Sequence, residues 1–344
     1  MTCKFTFLPV GNADSIVIQT DESIIVVDLG QLDILANWLQ KHEISKIDRI
    51  YITHDHRDHF PSLFKLVEFV DTWLAEANFI KKIHFPCKVL EVAWKKVKSD
   101  RLKHRLLEDA LVRIKEWSIN RITTHSPIFR DGEEYSEGLL KIIALHPSEE
   151  FVSKHIVSST GKLNEISTVL QVKYGQFSAL LLADIEGAGL TELLNFLKLN
   201  LKNTDFTANV VKIPHHGAYP KNGNDLEELL ALIDAKLAVL SVGSTNPYGH
   251  VEPKLFKALI ELQQNSDRRL TKFICTEVTR TCVHSASDRS TMGKSGLNTS
   301  KKCAGEITVI ADLSGTWELK TETDHLSEVA SFKYAACNGR GDLI

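Results

Sequence analysis

The chain has 344 residues, of which 43% are hydrophobic and 25% are charged, and its formal net charge is −3. This composition is typical of a globular protein with a sizeable core and excludes a largely disordered chain, while the weakly negative charge argues against a protein that coats long nucleic acids. No apolar run reaches the ~18 to 20 residues that cross a bilayer, so we expect no membrane segment.

In the first half of the chain, short β-rich runs alternate with amphipathic helices. β-branched and aromatic residues predict strands at 4–8, 15–19, 23–27, 49–53 and 82–85. Apolar residues at helical spacing predict helices that begin at 32, 63 and 90, and the last of these runs to 117.

The second half predicts strands at 140–145, 167–172, 178–183, 210–213, 238–242 and 272–276. Helices are predicted over 187–200, 225–233 and 253–264, followed by a flexible loop at about 285–302 and a hairpin formed by 306–311 and 316–320. Because no fixed-period repeat or Pro-rich linker divides the chain, we expect one domain over 1–322 and a C-terminal tail over 323–344.

The sequence His54-Asp55-His56-Arg57-Asp58-His59 directly follows a predicted strand. Its imidazoles and carboxylate offer two sets of ligands on one short loop, and such ligands suit zinc, manganese or iron. A solvated histidine-rich turn is the alternative interpretation, but chance rarely places this spacing at the end of a strand.

Three later strands also end in polar groups. One delivers Asp184, a carboxylate that could bridge two ions. The next is followed by His215 and His216, and a third by a polar loop that ends at His250. Each alone could be an ordinary turn, but their order after the histidine cluster favours a two-metal site.

This order resembles the metallo-β-lactamase fold, and its finer pattern is similar to the soluble hydrolase domain of the ComEC competence protein family. The matching pieces span roughly residues 4 to 320; they are 10–15, 28–30, the histidine cluster, 145–147, 164–167, 181–185, 214–217 and 241–250. The resemblance implies an α/β protein, a single four-layer αββα sandwich with the metals at one edge of two facing sheets.

The resemblance also assigns a role to each candidate residue. It implies two divalent ions, Zn²⁺ or Mn²⁺. The implied ligands are His54 and His56 for the first ion, Asp58 and His59 for the second, Asp184 as the bridge, and His215 to complete the second site. Asp58 would thus belong to the catalytic centre itself.

Three further residues receive roles around those ligands. Asp28 would accept a hydrogen bond from a ligating histidine and fix its tautomer. His250 would protonate the leaving group, and His216 would be an alternative ligand or a substrate contact.

The chain departs from the usual superfamily pattern at two positions. Asn164 stands where another histidine usually binds the first metal, and the nearest histidine, His146, is one strand earlier. Occupancy of the first site therefore stays open. Ala183 replaces the glycine that usually precedes the bridging aspartate.

A basic helical insertion at about 88–118 supports a nucleic-acid substrate. Its cations include Lys95, Lys96, Lys98, Arg101, Lys103 and Arg105. A solvated helix face is the alternative interpretation. The resemblance favours a phosphodiester, so we predict a DNA nuclease, and we consider that it acts as the effector of a multi-protein bacterial system such as phage defence.

Six scattered cysteines and the lack of a signal-peptide core predict a reduced, cytoplasmic setting. Two other functions stay open. A small-molecule hydrolase acting on a cyclic nucleotide, lactone or thioester would have a narrow pocket and would be indifferent to the basic helix. A metal-bearing regulatory subunit would bind a protein partner and cleave no diester.

Overall fold

A computed structural model describes residues 1–97, 100–125, 127–130, 132, 134–155, 162–202, 204–291 and 295–338. The strands are β1 (Thr2–Phe7), β2 (Ile16–Gln19), β3 (Ile24–Val27), β4 (Lys46–Tyr51), β5 (Phe79–His84), β6 (Thr123–His125), β7 (Tyr135–Glu137), β8 (Leu140–His146), β9 (Val169–Tyr174), β10 (Phe177–Leu181), β11 (Val210–Lys212), β12 (Leu237–Leu240), β13 (Lys272–Cys275), β14 (Ile307–Asp312) and β15 (Trp317–Thr321).

The helices lie mostly between strands. They are α1 (Leu32–Lys41), α2 (Leu63–Ala75), α3 (Val89–Val97), α4 (Arg101–Glu116), α5 (Glu149–Lys154), α6 (Gly187–Asn200), α7 (Gly223–Ile233), α8 (Pro253–Gln264), α9 (Arg280–Val283), α10 (Ala286–Thr291) and α11 (His325–Ala330). Within the described residues, every helix is too short or too polar to cross a bilayer.

The strands form two mixed sheets. Their orders are β15-β14-β1-β2-β3-β4-β5-β6 and β13-β12-β11-β10-β9-β8-β7. Strands β3 to β6 run parallel in the first sheet, and β10 to β13 run parallel in the second. The carboxyl ends of parallel neighbours lie at the same edge of a sheet, so the loops that follow them are brought together.

Apolar side chains pack in three layers around these sheets. Alternate residues of one strand face opposite sides: Ile16 and Ile18 lie between the sheets, whereas Val17 packs outward. Helices α1, α2 and α4 cover the outer face of the first sheet, and α6, α7 and α8 cover that of the second. The layers therefore follow the order helix, sheet, sheet, helix, and the predicted αββα sandwich is confirmed.

The helix predicted over 90–117 is divided into α3 and α4. Asp100 adopts an extended conformation, and its side chain accepts hydrogen bonds from the backbone N–H groups of Leu102 and Lys103, both at 3.1 Å. This cap begins a new helix at Arg101. The predicted basic insertion is thus a pair of helices, and Lys98 lies outside the described residues.

The C-terminal part packs against the second sheet. Val329, Ala335 and Ala336 belong to the core beneath α6 to α8. The loop predicted at 285–302 contains α10, and its residues 292–294 lie outside the described part, as do 339–344 of the predicted tail. The domain boundary at residue 322 stays a prediction.

Candidate metal centre

The carboxyl ends of four parallel strands converge at one edge between the sheets. The loop after β4 carries His54, His56, Asp58 and His59, and Asp184 follows β10. A short turn, 214–217, follows β11 and carries His215 and His216. The loop after β12 ends at His250. The structure thus brings the candidate ligands together from three separate parts of the chain, and places His250, from a fourth part, beside them.

Asp184 lies at the centre of these side chains. Its Oδ1 is 3.1 Å from Nε2 of His59. Its Oδ2 is 3.6 Å from Nε2 of His216, 3.9 Å from Nε2 of His54 and 4.0 Å from Nε2 of His215. A carboxylate with histidines around both oxygens has the placement expected of a bridging ligand.

Asp58, His59, Asp184 and His216 form the tightest group, with all four ligand atoms within 4.8 Å of one another. Nε2 of His59, Nε2 of His216 and both oxygens of Asp184 are buried and have no hydrogen-bond partner among the described residues. Buried polar atoms are normally paired, so unpaired atoms in a native site require a reason. Imidazole nitrogens and carboxylate oxygens facing one another at this spacing fit a divalent cation.

A second set of donors lies beside this group. Nε2 of His54 is 3.1 Å from Nδ1 of His56. The buried Oδ1 of Asn164 has no hydrogen-bond partner among the described residues, while its Nδ2 donates to Oε1 of Glu186 at 2.9 Å. Asn164 lines the same cleft as His56 and Asp184. The amide oxygen is therefore available where the superfamily usually has a histidine.

His146, the alternative ligand for the first ion, has both ring nitrogens engaged elsewhere. Nδ1 lies 2.8 Å from Oε2 of Glu192, and Nε2 lies 2.9 Å from the backbone oxygen of Glu165. Because the ring is fully buried in these contacts, it offers no free nitrogen to a cation.

Hydrogen bonds behind the ligands fix the orientation of two rings. Asp28 lies 2.7 Å from Nδ1 of His59 and accepts from the backbone N–H and the hydroxyl of Thr53, both at 2.8 Å. Nδ1 of His216 donates to the backbone oxygen of Ser241 at 2.9 Å. Each ring therefore carries a proton on Nδ1 and turns Nε2 towards the carboxylates.

The charges of this cluster are strongly coupled. Burial raises the pKa of Asp184, but the imidazoles of His59 and His216 outweigh burial and hold that pKa well below its usual value. Burial also raises the pKa of Asp58, yet the Nε2 atom of His216, 3.3 Å from its Oδ2, and the charge of His59 bring that pKa to about 2. Burial, followed by repulsion from His59, lowers the pKa of His54. These three groups are thus deprotonated at neutral pH.

A buried ion pair, which the sequence did not reveal, lies beneath the cluster. The Lys212 ammonium pairs with the carboxylate of Asp14, donates to the backbone oxygen of Ala183 at 3.0 Å and lies 3.8 Å from Asp184. Lys212 is 0% exposed and Asp14 is 1% exposed. The feature of the sequence that could have indicated a buried charge here is the lysine at the end of an otherwise apolar strand.

Strained backbone surrounds the centre. Ala183, His215 and His216 have positive φ values of 47°, 48° and 50°, as does Asp28 at 63°. Left-handed conformations at non-glycine residues each cost on the order of 1–3 kcal/mol and cluster at functional sites. The conformation of Ala183 also explains why glycine is the usual residue there.

Gly30 is needed for a different reason, since a Cβ atom would lie 2.5 Å from the backbone oxygen of Asp58.

The centre opens into a cleft of about 580 Å³. Arg57, Pro247 and Tyr248 contribute to its lining together with the ligands. The ring of His250 lies 5.6 Å from that of His215 and stacks on that of Tyr248. His250 is therefore next to the candidate ligands.

Lys96 of the basic insertion contacts the loop that carries His54 to His59. Nζ of Lys96 lies 3.0 Å from Oδ1 of Asp55, which stands between two candidate ligands. Three other cations of the insertion are paired with acidic neighbours; these pairs are Lys95–Glu91, Lys103–Asp100 and Arg113 with Asp71 and Glu116. Arg101 and Arg105 have no such partner among the described residues.

Comparison with known sequences finds one partial relative. The chain is 33% identical over 96 residues to ComE operon protein 3 of Bacillus subtilis (strain 168). The match covers 28% of this chain and only 11% of that protein. No protein-family model matches the chain.

Several solved structures are similar at low sequence identity. Unliganded yeast PDE1 is 13% identical, with 80% of this chain and 98% of that chain covered at a TM-score of 0.48. A long form RNase Z from yeast is 12% identical, and the match covers 93% of this chain and 49% of that chain at a TM-score of 0.47. The metallo-beta-lactamase fold protein YhfI from Bacillus subtilis is 10% identical, and the match covers 70% of this chain and 86% of that chain at a TM-score of 0.42.

Proposed function

We propose that this chain, which has the metallo-β-lactamase fold, is a metal-dependent hydrolase that cleaves phosphodiester bonds, with DNA as its substrate. The observation that carries the proposal is the group Asp58, His59, Asp184 and His216, in which the buried Nε2 atoms of both histidines and both oxygens of Asp184 have no hydrogen-bond partner among the described residues. Such an arrangement is costly unless a cation completes it.

In this proposal two cations are held by the cleft. The second site comprises Asp58, His59 and His216, with Asp184 between the sites. The first site comprises His54, His56 and the amide oxygen of Asn164. His215, 28% exposed and farther from Asp184, lies at the mouth rather than in the tightest group. Zn²⁺ or Mn²⁺ at these positions would lower the pKa of a water molecule and neutralise charge on a phosphoryl oxygen.

The protein residues then have separate tasks. Asp28 keeps the Nε2 edge of His59 directed at the centre, and the backbone oxygen of Ser241 does the same for His216. His250, next to His215, is the group we assign to protonate the departing oxygen. The ring contacts of His250 with His215 and with Tyr248, which both line the cleft, support this role.

The insertion supports a nucleic-acid substrate. Arg101 and Arg105 are one helical turn apart on α4, exposed and without partners among the described residues. Residues four apart lie on the same helix face, so both guanidinium groups can contact one phosphate backbone. Regulation by a protein partner, within a bacterial defence system, is part of this proposal.

Cleavage of single- and double-stranded DNA by the purified protein, with Mn²⁺ or Zn²⁺, tests the proposal. We expect metal-dependent cutting that is lost in the double variant Asp58→Ala, His59→Ala, together with a loss of bound metal. A wild-type protein that holds metal but cleaves neither DNA nor a generic phosphodiester would contradict it.

A further inference from the structure

Tyr248 presents an aromatic ring at the mouth of the cleft. The residue is 60% exposed, and it lines the same cleft as Asp58 and Asp184. One ring face stacks on His250, with centroids 5.6 Å apart and planes at 21°. A single exposed tyrosine is ordinary on a protein surface. A ring that is stacked on one side and faces a polar cleft is better suited to receive a planar ligand.

The side chain of Asn246 helps to hold in place the loop that carries this ring. Nδ2 of Asn246 donates to the backbone oxygens of Gly243 and His250, at 2.6 and 2.9 Å, and Oδ1 accepts from the N–H of His250 at 2.9 Å. Tyr248 lies at the tip between these anchors. A ring on a pre-organised loop loses little conformational entropy when a ligand binds.

Arg57 provides a cation in the same cleft. It stands between His56 and Asp58, is exposed, and has no hydrogen-bond or ionic partner in the described part of the chain. A guanidinium group matches the geometry of phosphate oxygens. The loop that carries the candidate metal ligands therefore also carries a positive charge that is not paired within the described part of the chain.

We propose that Tyr248 and Arg57 bind one nucleoside phosphate unit of the substrate. The tyrosine ring stacks on the base, and the guanidinium contacts a phosphate next to the scissile one. This inference rests on the proposed phosphodiester cleavage and adds the recognition of a nucleobase to it.

The path from the mouth to the centre fits this assignment. The rings of His250 and His215 lie between Tyr248 and Asp184, with centroids of successive rings 5.6 Å apart. A base stacked on the other face of Tyr248 is thus separated from Asp184 by the tyrosine ring and two imidazoles. Stacking of this kind accepts every base, because each has an aromatic face. We therefore expect selectivity for nucleotides without a strong sequence preference.

Two substrates with the same leaving group test the stacking. Thymidine 5′-(p-nitrophenyl phosphate) contains a base, and methyl p-nitrophenyl phosphate does not. We expect the ratio of kcat/KM for the two diesters to fall by about 5- to 150-fold in Tyr248→Ala, the range for loss of one base–aromatic stack. Tyr248→Phe keeps the ring and should keep the ratio, as should Leu199→Ala, which removes an exposed apolar side chain from α6.

A binding measurement separates this inference from the proposed hydrolysis. Fluorescence anisotropy would compare a phosphorothioate-linked thymidine tetramer, which resists cleavage, with an abasic tetramer of the same linkage. Tighter binding of the thymidine tetramer, lost in Tyr248→Ala, supports base recognition even if neither diester is cleaved, in which case only the proposed hydrolysis fails.

The same comparison defines the results that overturn the inference. Equal binding of the two tetramers by the wild type would do so. Equal losses of activity towards both diesters in Tyr248→Ala would also overturn it, since the ring would then only orient His250. Arg57→Gln should weaken both tetramers and reduce the dependence of log K on log salt concentration by about 0.7; an unchanged salt dependence would remove Arg57 from the phosphate contact.

Discussion

Nδ1 of His59 lies 2.7 Å from Oδ2 of Asp28, and Nε2 of the same ring lies 3.1 Å from Asp184. One histidine thus connects a purely structural carboxylate with the carboxylate at the centre of the site. Because the Asp28 carboxylate accepts hydrogen bonds and Thr53 donates to its remaining positions, Nδ1 of His59 carries a proton and donates it to Asp28.

Replacing Asp28 by asparagine should weaken metal binding. In Asp28→Asn an NH₂ group would face donors from Thr53 or His59, so the ring of His59 would lose its fixed orientation. We expect the affinity for Zn²⁺ to fall by about 10- to 100-fold, measured by competition with a chelator. Asp48, within β4, provides the control. It is equally buried and accepts a hydrogen bond from the backbone N–H of Ile24. Equal losses in Asp48→Asn would contradict a specific role for Asp28.

Variants of the predicted ligand His215 and of the two alternatives, His216 and His146, should differ in metal content. We expect His216→Ala to lose bound metal, because this side chain belongs to the tightest ligand group. His146→Asn should keep its metal, since both nitrogens of that ring bond to protein atoms. His215→Ala should have an intermediate affinity. Metal-to-protein ratios after dialysis distinguish the three variants, and retention of all metal by His216→Ala would refute the assignment.

Neutralising α4 should weaken binding to nucleic acid without changing metal content. Arg101→Gln, Arg105→Gln removes two unpaired charges, so log K should depend on log salt concentration less steeply by about 1.4 to 1.8. The matched variant Lys198→Gln, Lys257→Gln removes the same charge from α6 and α8, where both lysines are paired with glutamates. The titrations are made at several salt concentrations, and identical slopes in both variants would leave α4 as a solvated helix face.

His325 predicts a pH-dependent stability. Burial, and then repulsion from Lys272, lowers the pKa of this histidine to about 4. Because the unfolded chain binds the proton near pH 6.5 and the folded chain does not, stability should be lost as the pH falls from about 6.5 to 4. The full effect is about 3 kcal/mol. Urea unfolding of the wild type and of His325→Gln across this range measures it; parallel profiles would show that His325 does not contribute.

The resemblance implied the architecture, whereas the proximity of most of the cluster could be predicted from the sequence for a physical reason. Each candidate ligand follows an apolar strand, and parallel strands end at a common edge, so chain order determined proximity. The prediction of His215 as the ligand, with His216 as the alternative, rested on the resemblance, because which of the two rings faces the centre depends on a left-handed turn rather than on residue type. Three-residue strands such as β6 are too short to show a period of two.

Contacts between distant parts of the chain also could not be predicted from the sequence. Lys212 and Asp14 are far apart in sequence, and nothing local indicates that they pair. The break before α4 depends on the Asp100 side chain binding backbone N–H groups, a detail that helical periodicity across 90–117 conceals.

Lys212 has a consequence for how the protein matures. Its ammonium places a resident positive charge beneath Asp14 and Asp184, so part of the mutual repulsion among these carboxylates is offset even before any cation arrives. The polypeptide can then reach its native topology first and acquire metal afterwards. Which metal it acquires would follow from supply to the finished fold, rather than from whichever ion was present during synthesis.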